Sequence, residues 1–190
     1  MKISKKIILG LVVVILLIPI WIFSKMSSTY LADYPHYSDE DTLIKEADVI
    51  VIGKVDEISK AKINVNQNQK DQDYDKSVDD LLEYTVSEVQ VLDVLKGDIR
   101  VGEKIQIKQL GHIDGIIKIK NYFNKNKEYF FFLKKYDDIT PGMPYSTLNP
   151  IQGHIEIDKN KIIIDKENQL FKDMLNKDDL SQSIKKKVKD

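Results

Sequence analysis

The chain has 190 residues, no cysteine and a formal net charge of −1. Without cysteine it forms no disulfide and no thiolate metal site, so a hydrophobic core must stabilise its folded part. The first 25 residues hold four of the 29 basic side chains and none of the 30 acidic ones, so residues 26–190 carry a net charge of −5. That balance argues against a general nucleic-acid or anionic-lipid surface.

The first structural signal is an uncharged run of 17 residues, Ile7–Phe23. As a helix this run spans about 25 Å, close to the roughly 30 Å hydrocarbon core of a bilayer. Lys2, Lys5 and Lys6 precede it, and lysines beside a spanning segment favour the cytoplasmic side. We therefore predict a single-pass transmembrane helix within residues 1–25, a cytoplasmic N-terminus and an extracytoplasmic remainder.

A cleaved secretory signal is the alternative interpretation of this segment. Cleavage after Ser28 would place Met26 at the −3 position, and cleavage after Ala32 would place Tyr30 there. Both match poorly the small residues that signal peptidases require, so the sequence favours an uncleaved anchor. Cleavage would instead make the protein a secreted one.

The rest of the chain divides into a tether and a folded domain. Residues 26–37 are predicted to be a short tether, and residues 38–190 the domain. A helix is predicted at about Asp39–Ala47, because Ser38 is a suitable N-cap and acidic residues occupy the first turn.

Strands dominate the predicted domain. The first two are Asp48–Ile58, with a bend at Gly53, and Tyr84–Leu95. The apolar residues of the second twice change parity, which indicates a bulge or a coiled strand that serves two walls of a barrel. Between them, Asn64–Asp80 has almost no apolar residues and is interpreted as a surface loop.

Later segments are shorter. Lys104–Leu110 alternates, with Ile105 and Ile107 inward, and Glu128–Lys134 is apolar enough for a central strand. The remaining predicted elements are a tight turn at Asp114–Gly115 flanked by short strands, a turn at Asn124–Asn126, an irregular connection over Asp137–Pro150, a hairpin over Ile151–Ile164, a helix over Glu167–Leu175 and a helix at about Asp178–Lys189.

About six strands without β-α-β alternation predict a mainly β fold. The expected architecture is a small closed or nearly closed β-barrel, with a short N-terminal helix, C-terminal helices and one preceding transmembrane helix. In the last helix, Leu180, Ile184 and Val188 share one face, which we expect to pack on the barrel.

The chain contains, in order, ADVIVIGKV (47–55), YTVSEVQVLDVLKG (84–97), KEYFFFLKKY (127–136) and YSTLNPIQGHIEID (145–158). Together these segments resemble the strand motifs of the netrin/TIMP-like OB-fold superfamily, most closely its membrane-anchored bacterial members. The resemblance covers roughly residues 38–190 and implies an OB-like β-barrel. Its motifs are hydrophobic patterns with a few glycines, so they specify the fold better than an activity.

One property of the superfamily does not carry over. Its animal metalloprotease inhibitors bind the target's zinc through an N-terminal cysteine, whereas this chain has no cysteine and a tethered N-terminus. OB-folds often bind oligonucleotides or oligosaccharides on one barrel face, which is an analogy at the level of the fold.

Candidate catalytic residues are few. His112 and Asp114 are the nearest approach to a general-base pair, although their position beside a turn favours a solvated histidine. His36 and His154 have no partner at metal-ligand spacing, and His154 is interpreted as a surface or edge residue. No catalytic residue is therefore assigned.

Asp71, Asp73 and Asp75 begin like an EF-hand calcium loop. The positions that need glycine and a bidentate glutamate hold Lys76 and Leu82 instead. The three aspartates are thus weak metal candidates in an acidic loop, and no cofactor is predicted.

The predicted partners are the membrane, through residues 7–23, and either a protein or a cell-wall glycan. No nucleic-acid partner is predicted, because Phe130–Phe132 must face both sides of a strand and so favour core packing over base stacking. The predicted function is a non-enzymatic binding or accessory module anchored outside a Gram-positive cell. The alternatives are an envelope hydrolase or hydrolase inhibitor that uses His112 and Asp114, and a calcium-responsive module.

Overall fold

A computed structural model describes residues 34–64, 81–115, 117–136 and 142–189. Within these residues the chain is mainly β, and its elements in order are α1 (Glu40–Glu46), β1 (Val49–Asn64), β2 (Leu81–Lys96), β3 (Lys104–Leu110), β4 (Glu128–Lys134), β5 (Tyr145–Thr147), β6 (His154–Asp158), β7 (Lys161–Ile163) and α2 (Lys177–Lys189).

The predicted anchor, residues 7–23, lies outside the described residues, as do Asp71, Asp73 and Asp75. Among the described residues, neither helix combines the length and the apolar character that a membrane crossing needs.

Five strands close into a barrel-like ring in the order β1-β2-β3-β5-β4, with β4 paired back to β1. Every neighbouring pair is antiparallel except β3 and β5, which run parallel through Ile107 with Tyr145 and Lys108 with Ser146. Strands β6 and β7 extend the sheet from β4 as a hairpin. The ring brings β3 and β5 side by side although 34 residues lie between Leu110 and Tyr145 in the chain.

Two hydrophobic clusters lie on opposite faces of the strands. Val49 and Val51 join side chains of β2, β3 and β4 in a cluster that fills the ring. Ile50 and Ile52 face the other way, towards both helices and the β6–β7 hairpin. Phe130–Phe132 divides in the same manner, with Phe131 inside the ring and its neighbours outside, as the strand pleat requires. The prediction of core packing for these three residues is confirmed.

The long strands pair with the irregularities that the sequence indicates. β1 and β2 are paired along their length, with register shifts at Ile50/Val51, Ile52/Gly53 and Val55/Glu57. The predicted bulge in β2 is therefore confirmed, and one register shift falls at Gly53, where the sequence predicts a bend. Both strands are longer than predicted, because residues 59–64 and 81–83 continue the ladder beyond the buried part.

The N-terminal helix is confirmed, but its cap is Asp39 rather than Ser38. The Asp39 carboxylate accepts hydrogen bonds from the Thr42 backbone N–H, at 2.7 Å, and from the Ser38 hydroxyl, at 2.9 Å. A carboxylate is the better cap here, since it also interacts favourably with the helix dipole.

The predicted helix over Glu167–Leu175 is wrong, and the described chain has one C-terminal helix instead of two. Local side-chain hydrogen bonds fold this segment into turns. The Asp165 carboxylate accepts from the Glu167 N–H at 2.8 Å, and the buried Asn168 accepts from the Leu170 N–H at 3.2 Å. Such bonds compete with the helical ladder. In α2, Leu180 and Ile184 are buried as predicted, while Val188 lies at the edge.

Two connections also differ from the prediction. Asp137–Pro150 contains the unpredicted strand β5, which with three residues is too short to show an alternating pattern. In Gly111–Asn121 the Gly115 N–H donates to the His112 carbonyl at 2.9 Å, so the turn centres one residue earlier than predicted. The described part of this segment forms no flanking strand.

The remaining predicted turns and strands are confirmed. Ile105 and Ile107 of β3 are buried in the ring, and Glu128–Lys134 is the strand β4, which pairs with three others. The predicted hairpin over Ile151–Ile164 is β6 and β7, and its turn residue Lys159 has a φ of 61°.

Candidate functional site

The described residues form clefts of similar size, and one of about 420 Å³ lies outside the ring; we call it the tyrosine cleft. Its walls come from β2, β3, β4, β5 and the N-terminal segment before α1. The side chains that define its character are Tyr34, Tyr37, Glu46, Tyr84, Lys108, Lys134, Tyr136 and Ser146. A volume in this range is typical of small-ligand sites.

The N-terminal segment is fixed across the sheet by buried amides. The Gln152 side chain accepts from the Tyr37 N–H and donates to the Tyr37 carbonyl, both at 2.9 Å. Asn149 donates to the Pro35 carbonyl at 2.9 Å. Residues 34–37, predicted as part of the tether, are thus held against the domain, and they place Tyr34 on the wall of the cleft.

Tyr34 and Tyr84 of the cleft are neutral phenols at physiological pH. Burial and the nearby Tyr34 and Tyr136 raise the pKa of Tyr84 to about 12. Burial, with smaller effects of Tyr136 and Tyr122, also raises the pKa of Tyr34. These side chains therefore offer ring faces and hydroxyl groups to a ligand rather than negative charge.

Lys108 is the buried cation of the cleft. Only 8% of the residue is exposed, and its ammonium nitrogen lies 4.7 Å from the ring centroid of Tyr136 and 5.7 Å from that of Tyr84. Burial lowers the pKa of Lys108, and no charge among the described residues offsets this effect. A lysine placed between two aromatic rings is stabilised by cation–π attraction, but rings do not satisfy its three donors.

The second lysine of the cleft has polar partners. The Lys134 ammonium lies 3.1 Å from a carboxylate oxygen of Asp48, and it donates to the Glu46 carbonyl at 3.5 Å. Glu46 and Lys134 both act on Tyr37, whose pKa is raised mainly by burial, then by Glu46, with Lys134 opposing. These charges therefore lie near Tyr37, and neither of them affects the pKa of Lys108.

His112 and Asp114 do not form the arrangement that a general base needs. The Nδ1 atom of His112 accepts from the Asp114 backbone N–H at 3.1 Å, while the Asp114 carboxylate lies 3.8 Å from the Lys60 ammonium. The Nε2 atom of His112 lies 3.6 Å from Glu83. Because the aspartate is turned away, it does not orient the imidazole as a catalytic dyad would.

The described residues contain no group of three or more histidine, aspartate or glutamate side chains able to hold a metal ion. The weak calcium candidates Asp71, Asp73 and Asp75 lie outside these residues. His36 borders a separate shallow cleft beside α1 and has no such group around it.

His154, predicted to be a surface or edge residue, is partly buried and lines a separate cleft beside β6. It begins β6, opposite Phe131 of β4, and its ring packs against Phe123 and Tyr129 at centroid distances of 5.0 and 5.9 Å. Its Nδ1 atom is buried and has no hydrogen-bond partner among the described residues, and burial lowers the pKa of His154 to about 4. Aromatic packing thus holds it neutral.

The sequence did not single out the tyrosine cleft. Tyr34, Tyr84, Lys108 and Tyr136 are far apart in the chain, and the ring closure through β3 and β5 brings them together. One signal was available: Leu110 shares strand parity with Lys108 and is apolar, which indicates that the outer face of β3 is covered.

Comparison with known proteins finds no protein-family model and no curated protein sequence that matches this chain. Function therefore has to be argued from the cleft itself.

Proposed function

We propose that this chain is a membrane-anchored, extracytoplasmic binding module that holds a cell-wall glycan in the tyrosine cleft without catalysing a reaction. The observation that carries the proposal is the cleft's lining of neutral tyrosines around one buried lysine. Aromatic faces with hydroxyl groups suit the mixed apolar and polar surface of a sugar.

The proposed fold is an OB-like β-barrel of the netrin/TIMP-like superfamily. Its support is the five-stranded ring, which is the strand number of an OB-fold, and the position of the cleft beside β2 and β3. Three of the four segments on which the resemblance rests, 47–55, 84–97 and 127–136, contain the start of β1, most of β2 and all of β4.

The proposed anchor limits where the ligand can be. Residues 24–33 join the predicted span to Tyr34, and ten extended residues cover at most roughly 35 Å. Since Tyr34 belongs to the wall of the cleft, the site would lie within this distance of the outer membrane surface. A ligand in the inner layer of the cell wall fits this position.

A sedimentation experiment tests the binding function. The full chain in detergent micelles is mixed with purified, protein-free cell walls, and the bound fraction is measured after centrifugation. We expect saturable binding that Tyr84→Ala weakens about tenfold, since one stacked aromatic side chain contributes on the order of 1–2 kcal/mol. Leu175→Ala, at an exposed position outside the cleft, is the control and should bind as the unchanged chain does. Equal binding by the two variants would show that the cleft does not bind the cell wall.

The anchor is tested separately on intact cells that produce the chain. We expect external protease to digest residues 34–190 while the remaining N-terminal fragment stays in the membrane fraction. Recovery of the whole protein in the culture medium would show cleavage instead, and resistance to the protease would place the domain inside the cell.

A further inference from the structure

We propose that the tyrosine cleft selects a glycan unit that carries a carboxylate, which pairs with the ammonium group of Lys108. This inference rests on the proposed function, because it names the class of ligand for the same site.

The position of Lys108 favours an anionic ligand. Its ammonium lies over the rings of Tyr136 and Tyr84, on a residue that is 8% exposed, and it lines the open cleft. Among the described residues no carboxylate forms an ion pair with it. Other lysines of the domain have such partners, for example Lys104 with Glu88 and Lys127 with Glu156.

Burying the Lys108 ammonium costs free energy. A buried ammonium group loses hydration, and burial alone accounts for the lowered pKa of Lys108. Attraction to two aromatic rings offsets part of that loss, but no carboxylate among the described residues pairs with the remaining donors of the nitrogen. A ligand carboxylate would provide both the charge and the acceptors, and charge-assisted hydrogen bonds are the stronger kind.

The other charges of the cleft lie away from Lys108. Glu46 is the one carboxylate among the described lining residues, and it lies near Tyr37 and Lys134. Because Glu46 does not contribute to the pKa of Lys108, it leaves that ammonium available to a bound anion. The ring faces of Tyr84 and Tyr136 adjoin the ammonium, so a sugar can stack beside the group that takes its carboxylate.

Matched oligosaccharides test the selection. The full chain in detergent micelles is titrated calorimetrically with α-1,4-linked trigalacturonic acid and with the same trisaccharide after reduction of its carboxyl groups. We expect the acidic trimer to bind at least about tenfold more tightly, because hydrogen bonds to charged groups are worth roughly that factor or more. Equal affinities would overturn the inference.

Substitutions assign the effect to one side chain. Lys108→Met keeps the length of the side chain and should abolish the preference for the acidic trimer. Lys60→Met removes an exposed lysine outside the cleft and should preserve it. A preference that survives in Lys108→Met would exclude Lys108 as the receptor of the carboxylate.

A measurement on the unchanged chain covers the case in which Lys108→Met does not fold. The Nζ resonance of Lys108 is titrated with pH in the presence and absence of the acidic trimer. Pairing with an anion must raise the pKa of Lys108, so an unchanged titration would overturn the inference. Tighter binding of a glycerol-phosphate trimer than of the acidic sugar would likewise exclude a carboxylate as the selected group.

Failure of this inference is distinguishable from failure of the proposed function. Suppose that Tyr84→Ala loses binding to cell walls while acidic and neutral trimers bind with equal affinity. The chain would then still be a binding module for cell-wall glycans, but it would not select a carboxylate. Absence of any binding to cell walls would remove the proposed function itself.

Discussion

At the scale of single residues, His154 shows how packing controls a titratable group. The ring lies against Phe123 and Tyr129, and its buried Nδ1 atom has no partner that would stabilise the imidazolium. The only opposing influence on its pKa is the carboxylate of Asp165. The domain therefore folds around a neutral histidine.

This neutral histidine makes stability depend on pH. The pKa of His154 is 6.5 in the unfolded chain and about 4 in the folded one, so protons bind preferentially to the unfolded state between these values. We expect the free energy of unfolding to fall by about 2 kcal/mol from pH 6.5 to pH 5, since each pKa unit is worth 1.36 kcal/mol. Urea unfolding at these two pH values measures the change.

Two variants assign that pH dependence. His154→Phe suits the aromatic surroundings and removes the titrating group, so its stability should change little between pH 6.5 and pH 5. His36→Gln, at a histidine exposed to solvent, should keep the full decrease. A decrease that persists in His154→Phe would show that another group is responsible.

At the scale of elements, Gly53 of β1 makes a close contact with β2. A β-carbon there would lie 2.4 Å from Cγ1 of Val89 and 3.2 Å from the Gln90 carbonyl oxygen. We expect Gly53→Ala to destabilise the domain by about 2 kcal/mol through overpacking. Urea unfolding provides the measurement.

A double-mutant cycle identifies the cause of that loss. Val89→Ala removes the methyl group nearest to that β-carbon. By itself it should lower the free energy of unfolding by roughly 2 kcal/mol, because buried apolar surface is lost. If the introduced β-carbon clashes with Val89, the two losses should not add. The free energy of unfolding of the double variant should then be at least about 1 kcal/mol higher than the sum of the two single losses predicts. Strict additivity would place the strain elsewhere.

The C-terminal helix α2 is held by two side chains. Leu180 and Ile184 are fully buried against the cluster outside the ring, whereas Val188 is 36% exposed. Ile184→Ala should therefore cost about 3 kcal/mol, and Val188→Ala less than about 1 kcal/mol. Comparable losses in the two urea curves would contradict the view that α2 is fixed through its first turns.

Sequence patterns predicted those elements whose residues repeat regularly. The alternation in Lys104–Leu110 and the apolar run Glu128–Lys134 placed β3 and β4 correctly, because a buried strand must follow the pleat. Helical spacing in Glu167–Leu175 misled, since local bonds from Asp165 and Asn168 outweigh an apolar pattern that has no continuous helix behind it.

At the scale of the whole molecule, the cleft follows from topology rather than from a local motif. Lys108 reaches Tyr136 because β3 pairs in parallel with β5, and Tyr34 arrives through the amides of Asn149 and Gln152. No spacing of residues in the sequence predicts these contacts. The sequence therefore predicted most strands, while the candidate site became visible only with the pairing of the strands.

The same topology predicts that the domain unfolds as one unit. Strands β1 and β4 contribute alternate residues to both hydrophobic clusters, so neither cluster can lose its packing while the other keeps its backbone. We expect the urea transitions followed by far-UV circular dichroism, which reports the helices outside the ring, and by near-UV circular dichroism, which reports aromatic packing, to coincide.

Two substitutions make the test decisive. Phe131→Leu alters the cluster inside the ring, and Phe132→Leu alters the one outside it. Each should lower the midpoint of both signals equally, by an amount that corresponds to about 1–2 kcal/mol. If Phe132→Leu shifted only the helical signal, or Phe131→Leu only the aromatic one, the two clusters would be separate folding units, and the shared strands would not couple them.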